Sequence, residues 1–109
     1  MDASRDYQPR GRDILEEAYD ITTGDRQSAY GPPHEDFGRV AKMWSGLFGS
    51  MLKDGHQFEA SHVAQAMILV KMSRQLHHPK RDNWLDTAGY ARCGHLCDEA
   101  SNVREATMM

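Results

Sequence analysis

The chain has 109 residues and a net charge of −3 with histidine neutral, and its acidic and basic residues are interspersed along its length. For this length we expect one domain with a single hydrophobic core and no second domain. The mixed charge excludes a basic face for duplex nucleic acid and a basic helix on a membrane surface, and no apolar run approaches the roughly 18 residues of a membrane span.

The cysteines and the N-terminal stretch indicate the compartment. Cys93 and Cys97 are four residues apart in a helical pattern, which is poor geometry for a disulfide, and two cysteines alone are a weak zinc signal. The N-terminal stretch has no apolar segment of the kind found in secretory leaders. We therefore expect a cytoplasmic protein in a reducing environment.

The hydrophobic pattern predicts an all-α fold. Residues 1–11 are polar and are expected to form a flexible arm. From 12 to 99, apolar residues recur at helical spacing, which predicts one domain of four helices, bundle-like, with a long loop between helices 1 and 2. Residues 100–109 are expected to fray as a C-terminal tail.

Helix 1 is predicted over 13–23. Asp13, with an acidic residue three positions later, resembles a capping box, and Gly24 supplies a stop. Glu16, Glu17 and Asp20 form an acidic run. A solvated helix face explains that run, and the alternative is that one or two of these side chains, Glu17 among them, are metal ligands.

The segment from 24 to 37, GDRQSAYGPPHEDF, is predicted to be the long loop because its glycines and adjacent prolines stop helix propagation. Arg26 offers a planar cation for phosphate, Tyr30 an aromatic face, and Gly31 a point where backbone can approach a ligand. With His34, these residues predict a ligand-binding loop that suits a nucleotide. In the structural alternative, Tyr30 fills the core, Arg26 pairs with a helix 1 carboxylate and the prolines start helix 2.

Helix 2 is predicted from an N-cap at Asp36 to about Leu52. Its apolar stripe is expected to form core, and it consists of Phe37, Val40, Trp44, Leu47, Phe48 and Met51. Several glycines weaken the helix, which favours tight packing against another helix, including one across a subunit interface.

The central helix is predicted over 59–76, EASHVAQAMILVKMSRQL. Its middle is apolar on nearly every side, which predicts burial on more than one face, and this excess of apolar surface predicts a homo-oligomer. Lys71 and Arg74 are three apart and can project from one face as an anion site. Alternatively, their stems cover the core while their charges lie in water or in ion pairs.

Helix 4 is predicted over about 83–99, with Asp82 or Asn83 as its cap. Asp82 and Asp86 are four apart and share a face, with Tyr90 one step further along the helix. A cap and a favourable helix dipole explain two early aspartates. The alternative is a Mg²⁺ site, because paired carboxylates can bridge this ion to the phosphates of a substrate.

Two stretches of the sequence carry a family resemblance. GDRQSAYGPPHEDFGRVAKMW and ILVKMSRQLHHPKRDNWLDTAGYA contain the patterns GDRxxxYGxPxxxF and RDxxxDxAGY, and they resemble a family of small uncharacterised proteins of tailed phages and prophages. More loosely, they resemble the phage domain associated with nucleotide modification. The resemblance implies action in the cytoplasm of an infected or lysogenic bacterium.

The helical layout is similar, more distantly, to the MazG-like all-α NTP pyrophosphohydrolases, whose acidic helices bind Mg²⁺. That resemblance implies that Asp82 and Asp86 stand at the later acidic motif, and that Glu16, Glu17 and Asp20 stand in for the earlier one. The chain departs from the paired E-x-x-E pattern, because the central helix carries Lys71 and Arg74 instead of carboxylates.

These observations favour a nucleotide-binding protein. Arg26, Lys71 and Arg74 would hold phosphates, Tyr30 and Tyr90 would position the base, and the aspartates would orient the cations or bond a ribose. Binding would sequester a nucleotide, for which a host defence signal is one possibility. One alternative is a Mg²⁺-dependent pyrophosphohydrolase with Asp82 and Asp86 as its catalytic metal ligands. The other is a non-catalytic helical adaptor.

Overall fold

The structure, a computed structural model, describes residues 11–108, apart from the side chains at positions 25, 26 and 104–108. No strand occurs within that range, so the all-α prediction is confirmed. The predicted flexible arm lies outside it, except for residue 11. The helices are α1 (Ile14–Thr23), α2 (Asp25–Tyr30), α3 (Pro33–Phe48), α4 (Ala60–His77) and α5 (Arg81–Met108), and a short 3-10 turn (Gly49–Met51) follows α3.

Side chains close the N-termini of two helices. In α1, Asp13 Oδ2 accepts hydrogen bonds from the backbone N–H groups of Leu15 and Glu16 at 3.0 and 3.3 Å, as the capping pattern predicts. In α4, the N–H of Glu59 donates to His62 Nδ1 at 2.9 Å. Both contacts satisfy backbone donors that a helix start otherwise leaves without partners.

The segment from 24 to 37 is mostly helical, and the prediction of a long loop is wrong there. Gly24 separates α1 from the six-residue α2, and α2 ends at Gly31, whose φ of +81° favours glycine. Helix α3 then begins at Pro33 rather than after Asp36. A proline fits the first position of a helix because its missing N–H has no acceptor there in any case.

The turn between α4 and α5 is closed by a side chain that the sequence did not single out. Gln75 Oε1 accepts from the backbone N–H of Lys80 and from Asn83 Nδ2, both at 3.0 Å. Asn83 also donates to the carbonyl of His78 at 3.3 Å. Helix α5 starts at Arg81, so neither Asp82 nor Asn83 is its cap, and it continues to Met108, beyond the predicted end at 99.

Helix α5 is the common packing partner of the other long helices. Helices α1, α3 and α4 all pack on it, and α3 also packs on α4. Within the described residues, α1 contacts neither α3 nor α4. The main core therefore lies among α3, α4 and α5, and it consists of Phe37, Ala41, Val63, Ala64, Cys93 and Cys97.

The predicted burial of α4 on more than one face is wrong for this chain alone. Its buried residues are Val63 and Ala64, whereas Leu69 and Leu76 are 70% and 89% exposed. The reason is that α3 and α5 leave the remaining side of α4 uncovered. The predicted stripe of α3 is likewise core only in part, because Leu47 is 72% exposed. No helix in the described range is both long and apolar enough to cross a membrane.

Helices α4 and α5 pack tightly at a glycine, Gly94. A Cβ atom at Gly94 would lie 3.2 Å from the Cβ of Ala64, which is 1% exposed. We expect Gly94→Val to lower the free energy of unfolding by about 1–3 kcal/mol, because its branched side chain would separate the two helices.

Chemical denaturation measures this effect. Gly46→Val is the matched control, because no atom lies within 4 Å of a Cβ built at Gly46. The control should leave stability unchanged or slightly raised, since valine is the better helix former. Equal effects of the two substitutions would contradict the close packing at Gly94.

Candidate functional site

The candidate site is a groove between α1 and α5 formed by two small adjoining hollows, called here the α1–α5 groove. One hollow has a volume of about 20 Å³ and is lined in part by Ile21, Asp86 and Tyr90. The other, of about 10 Å³, is lined in part by Tyr30 and Gly31. Both are lined by Thr22 and Cys93. Each has about the volume that one water molecule needs, so a larger ligand would lie over the groove and not inside it.

At one end of the groove, Gly31 and Tyr30 follow from the termination of α2. The N–H of Gly31 donates to the carbonyl of Gln27 at 2.8 Å, and Arg39 Nη2 donates to the carbonyl of Tyr30 at 3.1 Å. The ring of Tyr30 is not part of the core, because the residue is 57% exposed. The structural alternative that it fills the core is therefore wrong, and its aromatic face is open to a ligand.

At the other end, an ion pair joins α4 to α5. Lys71 Nζ lies 2.9 Å from Asp86 Oδ2, and the Lys71 side chain is 14% exposed whereas that of Asp86 is 41% exposed. The ion-pair alternative from the sequence thus describes Lys71. Low exposure limits screening by water, so this contact is stronger than one between two solvated side chains.

Arg74 and Asp82 lie beside this ion pair. Arg74 is one turn after Lys71 on α4, and Asp82 is one turn before Asp86 on α5. Both residues are exposed. The antiparallel course of the two helices brings these turns to the same end of the groove.

Tyr90 is half-buried between the groove and the core. Its ring centroid lies 6.1 Å from that of Phe37, with the planes inclined by 35°. This contact with a core side chain fixes the ring, so Tyr90 can border a ligand but offers less free surface than Tyr30.

Arg92, a cation that the sequence reading missed, lies beside the groove and contacts its lining residue Thr22. Its Nη1 donates to Thr22 Oγ1 at 3.1 Å, and its guanidinium lies 4.7 Å from the ring centroid of Tyr19. Thr22 is 4% exposed, and its hydroxyl donates to the carbonyl of Ala18 at 2.8 Å. The sequence did contain a signal for Arg92. Leu85 and Arg92 are seven residues apart, about two helical turns, so both lie on the side of α5 that faces α1.

The acidic candidates for a metal site are largely paired with cations. Glu17 Oε2 accepts from Arg81 Nη2 at 2.7 Å, and Asp20 pairs with Arg12. In the part of the chain that the structure describes, no three His, Cys, Asp or Glu side chains cluster as metal ligands. Mg²⁺ also binds through one or two carboxylates plus substrate phosphates, so a metal role for Asp82, Asp86 or Glu17 stays a prediction.

The predicted ligand residues thus fall into three groups. The groove is lined by Tyr30, Gly31, Asp86 and Tyr90. Lys71 contacts Asp86 beside the groove, and Arg74 and Asp82 lie at the same end. His34 lies elsewhere, on the separate cavity described next. The side chain of Arg26 lies outside the described residues.

That cavity, of about 540 Å³, lies among α3, the start of α4 and the second half of α5. Its floor includes Ala41 and Cys97, both buried. Both signs of charge border it, from Lys42 on one side and from Glu59 and Asp98 on the other. No sequence pattern pointed to it, because its volume follows from the small residues where three helices meet.

The buried thiol of Cys97 is a poor nucleophile. Burial raises its pKa from 9.0 to about 11, and the neighbouring Cys93 and Asp98 add to the shift. Cys97 is therefore protonated at neutral pH, and the thiol, unlike a thiolate, reacts slowly.

Taken together, the helices and the groove define a small all-α domain with a polar, partly aromatic groove beside an ion pair. Residues 13–98 match the family described as "Domain of unknown function (DUF6378)". Because the match covers most of the chain, the chain belongs to this family.

Two mycobacteriophage proteins are similar to the chain, which confirms the prediction of a phage-type family. The "Gene 55 protein" of Mycobacterium phage D29 is 39% identical over 83 residues, which are 73% of this chain and 50% of that protein. The "Gene 55 protein" of Mycobacterium phage L5 is 35% identical over 79 residues, 72% of this chain and 47% of that protein. The chain thus spans about half the length of these relatives. No solved structure matches it.

The Lys71–Asp86 ion pair should contribute measurably to stability. In a double-mutant cycle of Lys71→Met and Asp86→Asn, we expect a coupling free energy of about 1 kcal/mol, because Lys71 is mostly shielded from water. Urea denaturation of the two single variants and the double variant gives this value. Additive effects would show that the two charges do not interact.

The raised pKa of Cys97 makes stability depend on alkaline pH. The unfolded thiol ionises near pH 9 and the folded thiol near pH 11. The unfolded chain therefore binds fewer protons within this window, and the free energy of unfolding falls as pH rises, by at most about 1.4 kcal/mol per pH unit.

Denaturation across pH 8 to 11 tests this dependence, with Cys97→Ala as the comparison. The wild type should lose more stability over the window than Cys97→Ala, because lysine and tyrosine titrations are common to both proteins. Parallel pH profiles would contradict the shift.

Proposed function

We propose that the protein binds a phosphate-bearing nucleotide over the α1–α5 groove and sequesters it. The observation that supports this most is the Lys71–Asp86 pair, which holds a shielded ammonium beside the groove. Because Asp86 already positions this ammonium, the Lys71 side chain loses little conformational freedom when an anion approaches.

The phosphates would bind at the α4–α5 end. Arg74 is exposed one turn from Lys71, so its planar guanidinium is free to form two parallel hydrogen bonds to a phosphate. The Asp86 carboxylate accepts hydrogen bonds and would favour a ribose hydroxyl beside the phosphate. Asp82 and Tyr90 would border the same position.

The base would lie toward the α2 end. The groove leads from Asp86 and Tyr90 to Tyr30 and Gly31 through the two hollows, which are too small to enclose a base. The exposed ring of Tyr30 offers a stacking surface, and stacking tolerates different bases. The proposed complex is therefore an open one, with contacts along one face of the nucleotide.

Pairing of the carboxylates favours binding over hydrolysis. Asp86 and Glu17 each contact a cation, whereas a hydrolytic Mg²⁺ site needs carboxylate oxygens available to the metal. The Mg²⁺-dependent pyrophosphohydrolase stays the second candidate, because a nucleotide that binds Lys71 would release Asp86 for a metal ion. The helical adaptor is the third.

The phage relatives support a proposal for the biological setting. We propose that the protein acts in the cytoplasm of an infected or lysogenic bacterium, as a homo-oligomer. A phage protein that holds a nucleotide without turnover would suit the removal of a host defence signal. This assignment rests on similarity to proteins named only as Gene 55 products.

One incubation separates the two nucleotide hypotheses. Purified protein is mixed with canonical, modified and cyclic nucleotides and Mg²⁺, then filtered, and the retained fraction is released by heat and analysed by chromatography. A nucleotide that is depleted from the filtrate and returns intact supports sequestration. Recovery as monophosphate and pyrophosphate supports the hydrolase. If the nucleotides are neither depleted nor converted, the result supports the helical adaptor.

For the nucleotide retained in that experiment, Arg74→Ala should weaken binding roughly 10- to 100-fold, because a charge-assisted hydrogen bond contributes about 1.5–3 kcal/mol. Its free energy of unfolding should change by less than about 0.5 kcal/mol, since Arg74 is exposed. Isothermal titration calorimetry and denaturation measure the two quantities.

Lys53→Ala is the matched control, because Lys53 is also an exposed cation but lies in the connection between α3 and α4. It should bind the nucleotide as the wild type does. Equal losses in both variants would indicate attraction by net charge alone and would contradict a site at Arg74.

A further inference from the structure

We infer that two copies of the chain pair through one uncovered face of α4 and the adjoining face of α5. Along α4, the side chains at positions 65, 69, 72 and 76 follow steps of four, three and four residues. This is the spacing of a coiled-coil seam, in which a helix packs against a second helix. The set Gln65, Leu69, Met72 and Leu76 is called here the α4 seam.

The α4 seam is uncharged and, from Leu69 to Leu76, apolar, and no element in the described part of the chain covers Leu69 or Leu76. Leu69 is 70% exposed and Leu76 is 89% exposed, although α4 is flanked by α3 and α5 on its other sides. Exposed leucines at such spacing are unusual for a solvated helix face, which normally carries charged residues. The pattern therefore indicates a partner helix.

The distribution of charge favours a second copy as that partner. The positions that flank the seam are uncharged, namely Ala66, Ile68, Ser73 and Gln75. With histidine neutral, the charged residues of α4 are Lys71 and Arg74, and both fall outside the seam and its flanks. A twofold interface brings each surface against its own copy, so any charge there would meet a like charge. A seam without charges avoids that repulsion.

Helix α5 extends the same face. Asn83 is hydrogen-bonded to Gln75 of α4, and the next residue, Trp84, is 51% exposed. The indole thus adds aromatic surface near the Leu76 end of the seam. Two copies joined here would form a four-helix arrangement, to which each copy contributes its α4 and its α5.

This inference does not depend on nucleotide binding. Lys71 and Arg74 point away from the seam by their helical positions, so pairing leaves the α4–α5 end of the groove open. The two proposals can therefore fail separately, because the mass of the assembly is measured without nucleotide.

Light scattering coupled to size exclusion tests the pairing at micromolar concentration. We expect twice the chain mass of 12.4 kDa for the wild type and one chain mass for Leu69→Glu. Leu15→Glu is the matched control, because Leu15 is 67% exposed but lies on α1, which does not contact α4. It should keep the wild-type mass. A monomeric wild type overturns the inference.

A second comparison locates the interface. Leu47 is 72% exposed on α3, so Leu47→Glu introduces a matched charge at a different face. If Leu47→Glu yields monomer while Leu69→Glu retains the wild-type mass, the α4 seam is not the interface. Where Leu69→Glu fails to fold, Leu69→Ala replaces it. It should raise the dissociation constant at least tenfold, and an unchanged constant overturns the inference.

Discussion

The packing of every other long helix against α5 is the constraint on which the structure depends. Helices α1, α3 and α4 share this one partner, and the approach of α4 is set by the missing side chain at Gly94. Small buried residues such as Ala64 and Cys97 let the helices approach closely, but they bury little apolar area each. Close contact, and not a large core, holds the domain together.

The groove is a direct result of this arrangement. Because α1 packs on α5 and on the short α2, and within the described residues contacts neither α3 nor α4, a gap remains beside it. Lys71 reaches across from α4 to Asp86, so a single ion pair connects the α4 side of the molecule to the groove. The same contact positions a cation and neutralises a carboxylate, which is why we propose binding and not metal-dependent hydrolysis.

The sequence predicted the elements better than their surroundings. Helix α1 and its Asp13 cap follow from local hydrogen bonding and were predictable, as was the end of α4 just before Pro79. The burial of the helix faces was not predictable, because an apolar run such as that of α4 does not show which of its sides a neighbouring helix covers. The hollow near Tyr30 and the position of Arg92 beside the groove both result from contacts between residues distant in sequence, which no local pattern reveals.

In the described part of the chain, α5 is the one long helix that α1 contacts, and this divides the domain into units of unequal stability. Loss of the α1–α5 interface removes one wall of the groove while the contacts among α3, α4 and α5 remain. Local unfolding of α1 therefore has a lower free energy than global unfolding, as in a separate cooperative folding unit. A molecule bound across both helices would raise the free energy of that opening, which links occupancy of the groove to the order of the first helix.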